Sequence, residues 1–278
     1  MALQPDRLAA VANAATYDAK GAKAYPSGAP HLKHATLRSL YAGLVNRVFD
    51  VARSRTAVPA VLDLGAGEGT ATLPFLERGA RVTAVDISSG QLAVLQERCS
   101  GFADRLEGRC QEVSEALKST DESYDIVVAN SFLHHIPDYL GLIIGATRLL
   151  GPSGQFFSFQ DPMRYDQLTA TSAWFSNLAY FSWRLSRGDV VGGIARRMRR
   201  HRGVYLPHST HDNAEYHVTR NGVDQDAIAA ELEALEFDCE VIRYFSTQSG
   251  PFQSLGESLG FENTFSVVAC RKEVRGKV

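Results

Sequence analysis

Cysteine is scarce: four occur in 278 residues, at positions 99, 110, 239 and 270, with no C-x-x-C pair and no Cys/His knuckle. That scatter excludes a zinc ribbon and a disulfide framework, and it fits a reduced compartment. Charge of one sign is also missing. Twenty-nine Lys and Arg stand against 31 Asp and Glu, a net charge of −2, so no bulk field gathers nucleic acid or an anionic membrane. No stretch approaches the roughly 20 apolar residues of a spanning helix. The opening MALQPDRLAAVANAATYDAKG has neither the basic start nor the unbroken apolar core of a secretory signal. With 45% hydrophobic and 22% charged residues, the composition is globular, and a soluble, cytoplasmic protein is expected.

What is present is a rhythm. From residue 61, short β-branched runs alternate with helical periods, the pattern of a parallel sheet with helices on both faces. VLDL (61–64), RVTAVD (81–86), RLEGRC (105–110), YDIVVAN (124–130) and GQFFSFQ (154–160) read as the first five strands. The fourth is almost wholly apolar, as a central parallel strand buried on both faces must be. The rhythm stops at Asp161-Pro162 and resumes near Gly222; the aromatic, histidine- and arginine-rich block between is read as an insertion. An amphipathic helix (224–237) and strands DCEVIRYF (238–245) and NTFSVVAC (263–270) follow, joined by a turn-rich connection too short for a parallel crossover. The expected fold is α/β: a mostly parallel seven-stranded sheet with helices on both faces, an antiparallel last strand and an inserted helical cap. The expected divisions are a helical flank (1–57), a core (58–160), a cap (161–221) and a return to the core (222–278).

The first strand ends in GAGEGT. Glycines between a strand and a helix let a ligand approach bare backbone beside a helix N-terminus. Dinucleotide enzymes space them G-x-G-x-x-G, but here Thr70 stands where the third glycine would be, and the glycines are Gly65, Gly67 and Gly69. No Lys-Ser/Thr follows, which excludes an NTPase phosphate loop. Asp86 ends the second strand, beside the loop in a parallel sheet, where a carboxylate can accept from both hydroxyls of a ribose. A nucleoside carrying an amino acid fits this pairing better than one carrying a pyrophosphate.

VLDLGAGEGTATLPFLERGARVTAVDIS, SYDIVVANSFLHHIPD and LLGPSGQFFSFQDP resemble the successive motifs of class I S-adenosylmethionine-dependent methyltransferases of the small-molecule type, over residues 58–160 and the closing helix and strands. The resemblance implies a Rossmann-like core and S-adenosyl-L-methionine as cofactor. It implies that Gly65, Gly67 and Gly69 line the methionine portion with Asp63 orienting the loop, that Asp86 holds the ribose and Ile87 touches the adenine, and that Asn130 presents its backbone near the sulfonium. For the adenine amino group it offers Cys110, Gln111 or Glu112, with Gln111 taken forward, and Tyr17 resembles a tyrosine that closes over the cofactor carboxylate.

Methyl transfer to a hydroxyl calls for alignment, water exclusion and a base. His135, which follows the fourth strand with His134, is one candidate, and His211 and His217 in the insertion are the others. The HSTHD segment, His208 to Asp212, has no helical H-x-x-x-H and no thiolate beside it, so no metal is expected. The stretch holding Trp174, Phe175, Tyr180, Phe181 and Trp183 reads as cap core against the N-terminal helix, or else as a pocket for a bulky apolar acceptor. The run Arg196, Arg197, Arg199, Arg200 and Arg202 reads as a solvated face, or as contact with a phosphorylated or membrane-bound substrate. The expected activity is O-methylation of a small or medium-sized molecule such as a natural product, sugar or lipid-like compound, with no nucleic-acid partner. Methylation at carbon or nitrogen and a non-catalytic binding module of the same fold are the alternatives.

Overall fold

The computed structural model describes residues 5–16, 29–186, 206 and 209–272. An N-terminal helix α1 (Pro5–Thr16), a single turn α2 (Pro30–Lys33) and a long helix α3 (Ala35–Arg53) precede the sheet. Then follow β1 (Ala60–Leu64), α4 (Thr72–Glu77), β2 (Arg81–Asp86), α5 (Ser89–Arg98), β3 (Leu106–Cys110), α6 (Val113–Ser119), β4 (Tyr124–Asn130), α7 (Tyr139–Arg148) and β5 (Leu150–Pro162). Helices α8 (Ala170–Ser186), α9 (Thr210–Ala214) and α10 (Tyr216–Thr219) belong to the inserted segment. The chain returns through α11 (Gln225–Ala234), β6 (Phe237–Tyr244), α12 (Gly250–Ser258) and β7 (Thr264–Arg271).

The sheet order is β3-β2-β1-β4-β5-β7-β6, parallel through β5, with β7 antiparallel to both β5 and β6. The order reverses at β1, where the chain crosses from β3 back to β4. That reversal opens a crevice at the carboxyl ends of β1, β2 and β4, the place where α/β sheets bind ligands. One face is covered by α3 and α4 through Tyr41, Val45, Val48 and Phe75, packed on Val61, Val128 and Phe157. The other is covered by α6, α7 and α11 through Val113, Ile143, Ile228 and Leu232, packed on Leu62, Val127 and Phe156. Alternate residues of one strand therefore feed two separate apolar layers, which is why β4 reads as an unbroken apolar run.

Two details depart from the sequence reading. The connection from β6 to β7 contains α12, although the pairing is antiparallel as expected. The aromatic stretch of α8 does not pack on the N-terminal helix: Phe175 sits within 5.5 Å, centroid to centroid, of Phe245, Phe252 and Phe261, while Trp174 is 65% exposed. Helix α1 packs instead on α9. The segment between β5 and α11 leaves and rejoins at one point, since Met163 pairs with Val223 in a parallel bridge and the Val223 amide donates to the Pro162 carbonyl at 3.0 Å.

Candidate functional site

A pocket of about 840 Å³, open mouth included, lies at the carboxyl ends of β1, β2 and β4. Asp63, Gly65, Gly67, Asp86, Ile87, Asn130 and His135 line it, all of them read from the sequence as site residues. Gly65 has φ +68°, and a Cβ there would lie 2.1 Å from Cδ2 of Phe132. The position therefore demands glycine twice, once for the backbone and once for the ring beneath it. Gly67 also has positive φ, and the nearest atom to its would-be Cβ is Gln91 Oε1 at 3.8 Å, so its backbone is bare toward the pocket. Gly69 acts elsewhere. A side chain there would press on Leu95 of α5 at 3.1 Å, so this glycine sets helix packing and does not line the pocket.

Each carboxylate is held in a defined way. Asp86 accepts from the Gly67 amide at 2.9 Å through Oδ2 and from the Ser88 amide at 2.8 Å through Oδ1, so it fixes the loop as well as facing the pocket. Burial pushes its pKa up, against those two amide bonds. Asp63 is fully buried and accepts from the Thr72 hydroxyl at 2.6 Å through Oδ2. Its Oδ1 has no hydrogen-bond partner among the described residues, and neither have Gln91 Oε1 and Asn130 Oδ1. With Asn13 Oδ1 of α1, four such buried acceptors surround one pocket and suit a ligand rich in N–H and O–H donors, because a buried acceptor left unpaired is costly.

Burial raises the pKa of Asp63 to about 7, with Asp86 and Glu68 adding to the rise and the Thr72 bond opposing it. A raised carboxyl pKa means the folded chain prefers the protonated form, so stability fully present below about pH 4 is lost as pH rises from there to about 7. Without ligand, wild type and Asp63→Asn should unfold at closely similar temperatures at about pH 4 and below, and the variant should become progressively the more stable from there to about pH 7. Differential scanning calorimetry across that window checks the sign; a gap that shrinks with rising pH would refute it.

The far wall comes from the end of β4. Ser131 takes a left-handed φ of 53° and donates its amide to the Phe159 carbonyl at 2.6 Å, turning the chain so that Phe132 lies under Gly65. His135 is 8% exposed, and its Nδ1 bonds the Ala214 carbonyl of α9. A carbonyl only accepts, so Nδ1 carries the hydrogen and Nε2 carries the lone pair. Burial, and then the neighbouring His134, lower the pKa of His135 to about 4, so the ring is neutral at pH 7. His134 stands apart: burial opposes its charge, but the hydrogen bond and charge of Asp161, with help from Glu215, raise its pKa.

The remaining expectations resolve differently. Gln111 does not line the pocket; its side-chain amide donates to Ser119 Oγ at 3.3 Å, and it is Glu112 and Val113 that reach the wall. His217 is spent structurally: its Nε2 donates to the Ile136 and Pro137 carbonyls at 2.9 and 3.3 Å, and its ring meets Tyr139 edge-on. Tyr17, His208, the His211 side chain and the arginine run 196–202 lie outside what is described. Sequence reasoning missed Gln91, Phe132 and Ile136, and it missed Ala10 and Asn13 of α1. Gln91 sits five residues past Asp86 at a helix start capped by Ser88, a spacing that carries a signal; the α1 residues arrive by tertiary packing and carry none.

Known proteins resemble this core. A family model described as a methyltransferase domain matches residues 61–154. This segment resembles that domain. It is similar to a ubiquinone biosynthesis O-methyltransferase of Xanthomonas campestris, 31% identical over 110 residues that make up 39% of this chain and 46% of the relative. The chain thus matches less than half the length of that relative. Two solved structures share the fold. One is magnesium protoporphyrin IX methyltransferase from Synechocystis PCC 6803 with bound S-adenosylmethionine, at TM-score 0.52 and 14% identity, covering 98% of this chain and 99% of the other. The second is geranyl diphosphate C-methyltransferase from Streptomyces coelicolor A3(2), at TM-score 0.52 and 11% identity, covering 84% and 80%. The matched segment runs from β1 into the start of β5, and it contains every pocket residue except those of α1. Among the described residues, no helix is long and apolar enough to cross a membrane.

Proposed function

We propose that this chain is an S-adenosylmethionine-dependent methyltransferase that methylates a hydroxyl oxygen of a small or medium-sized molecule. The observation that carries the cofactor reading is the pocket itself: bare backbone at Gly67, the Asp86 carboxylate beside it, and four buried acceptors on Asn13, Asp63, Gln91 and Asn130. These groups fit a ligand with an ammonium group, an adenine and a hydroxylated ribose. The oxygen reading is supported by the names of the sequence relatives and by a neutral histidine on the pocket wall.

When bound, S-adenosylmethionine supplies a methyl group on a sulfonium, already an excellent leaving group. The chain's own contribution is position, dryness and a place for the proton. The Gly65–Gly67 backbone receives the amino-acid portion, Asp86 the ribose, Ile87 the adenine, and the Asn130–Phe132 turn walls the reacting end. We read residues 161–221 as the cap, with 1–57 as the flank and 58–160 and 222–278 as the core. Helix α9 supplies the carbonyl that fixes the His135 tautomer, so cap placement and readiness of the site are linked. His135 is the pocket's group for handling the acceptor's proton; its low basicity keeps it neutral until charge develops on the ring's partner.

Calorimetry with S-adenosylhomocysteine tests the cofactor reading, and the absence of any heat of binding would end it. His135→Ala should cut turnover on a hydroxyl acceptor by about 100-fold while leaving S-adenosylhomocysteine affinity within about twofold. An unchanged rate would remove His135 from the chemistry.

A further inference from the structure

We propose that His134, His135 and Glu215, of which His135 lines the pocket, form a binding site for a divalent transition-metal ion. One donor atom from each of the three lies within 4.8 Å of the other two, and two of the residues are buried. His134 Nε2 and Glu215 Oε2 are 3.8 Å apart, and the two imidazole centroids 4.0 Å. The ligands come from both sides of the crevice: the histidines from the turn after β4, Glu215 from the junction of α9 and α10 in the insertion. A bound ion would therefore tie the inserted segment to the core.

A second, independent observation concerns what stands behind the rings. His134 Nδ1 bonds Asp161 Oδ1 at 2.8 Å, and His135 Nδ1 bonds the Ala214 carbonyl. Both acceptors fix hydrogen on Nδ1, so in each ring ligation would fall to Nε2. Metal-binding histidines are held in this way, the far nitrogen fastened to a carboxylate or carbonyl so that tautomer and ring angle are set before the ion arrives. Asp161 is fully buried and follows a bulge in β5, where Gln160 takes φ +69°; bulges re-aim side chains at sites of this kind. Two imidazoles and one carboxylate select zinc or a neighbouring transition ion over magnesium or calcium, which prefer oxygen throughout. Three protein ligands leave an open position, as catalytic zinc sites do.

The consequence for methyl transfer rests on the reading given above. His134, His135 and Glu215 would hold the ion, and the chemistry it would supply is a lowered pKa for a hydroxyl bound beside it. His135 would act there as a ligand, the ion taking over the lowering of the hydroxyl's pKa.

The test needs neither acceptor nor cofactor. Full-length protein stripped with a chelator is titrated with Zn²⁺ alone, and one equivalent is expected to bind. His134→Ala and Glu215→Gln should each weaken that binding by at least about tenfold, and Asp161→Asn by about 10- to 100-fold. The wild type loaded with Co²⁺ should show the intense visible absorption of a low-coordinate nitrogen-ligated ion, a readout independent of whether any variant folds. Absence of Zn²⁺ binding, full binding retained in both ligand variants, or a Co²⁺ spectrum matching the aquo ion would each overturn the site in favour of a His134 imidazolium bridging Asp161 and Glu215. S-adenosylhomocysteine titrated into the stripped protein reports the cofactor reading separately, so the two can fail independently.

Discussion

Gly65→Ala should lower S-adenosylhomocysteine affinity by about 100-fold. The left-handed φ of +68° costs an alanine about 1 kcal/mol. The larger cost comes from the ring. The new Cβ would sit 2.1, 2.4 and 2.6 Å from three carbons of Phe132, and no relaxation of a tenth or two relieves that. Phe132 is braced against the apolar layer under α7, so its open direction is the pocket. Overpacking of this kind costs about 1–3 kcal/mol, and with the backbone penalty the sum is about 2–4 kcal/mol set against the ligand-bound form. A control separates the two parts. Gly79 has φ +98° with nothing within 4 Å of its would-be Cβ, so Gly79→Ala carries the backbone penalty alone. It should lower the unfolding temperature slightly and leave affinity unchanged. Trimming the ring in Gly65→Ala/Phe132→Ala should restore much of the lost affinity; if Gly65→Ala binds like wild type, the loop is not where the ligand lies.

The sheet and the cofactor pocket differ in how far they can be read from residues alone. YDIVVAN marks β4 to the residue because a strand buried on both faces has no polar alternation to obscure it. GAGEGT and Asp86 are legible because a ligand pressed on bare backbone restricts residue types at fixed positions. Helix α12 is not legible. Its sequence GPFQSLGES carries glycine, proline and serine that read as turn, and what holds it helical is tertiary. Gly256 presses so close to Phe245 that a Cβ would lie 2.3 Å from the ring, and Gln253 donates to the Phe245 carbonyl at 2.7 Å. The pocket walls from α1 and the His134, Asp161 and Glu215 cluster fail for a related reason. His134 and Asp161 are 27 residues apart in the chain, and their meeting depends on a bulge that no local pattern announces. The histidines of the insertion show the converse: His217 has the residue type for catalysis, but the Ile136 and Pro137 carbonyls take its Nε2.

Asp86→Ala should weaken S-adenosylhomocysteine binding by about 1–3 kcal/mol, or about 5- to 150-fold. Two routes lead to that loss, and the structure makes both concrete. The carboxylate accepts from the Gly67 and Ser88 amides, so its removal leaves one donor of the glycine loop and one at the cap of α5 without their acceptor and loosens the cradle. It also lines the pocket, where each oxygen retains a lone pair for a ribose hydroxyl. The two routes respond differently to the ligand. If Asp86 grips the sugar, an analogue lacking the 2′ and 3′ hydroxyls should bind wild type and variant almost equally, because the interaction is already gone from the ligand side. If Asp86 acts only through the loop, the full difference should persist with the dideoxy analogue. A thermodynamic cycle of two proteins and two ligands, measured by calorimetry, yields the coupling directly. The shared geometry predicts a mixed result: a coupling of about half the total, the rest belonging to the loop. Equal affinity of Asp86→Ala and wild type for S-adenosylhomocysteine would place the nucleoside away from β2 and remove the basis of the cofactor reading.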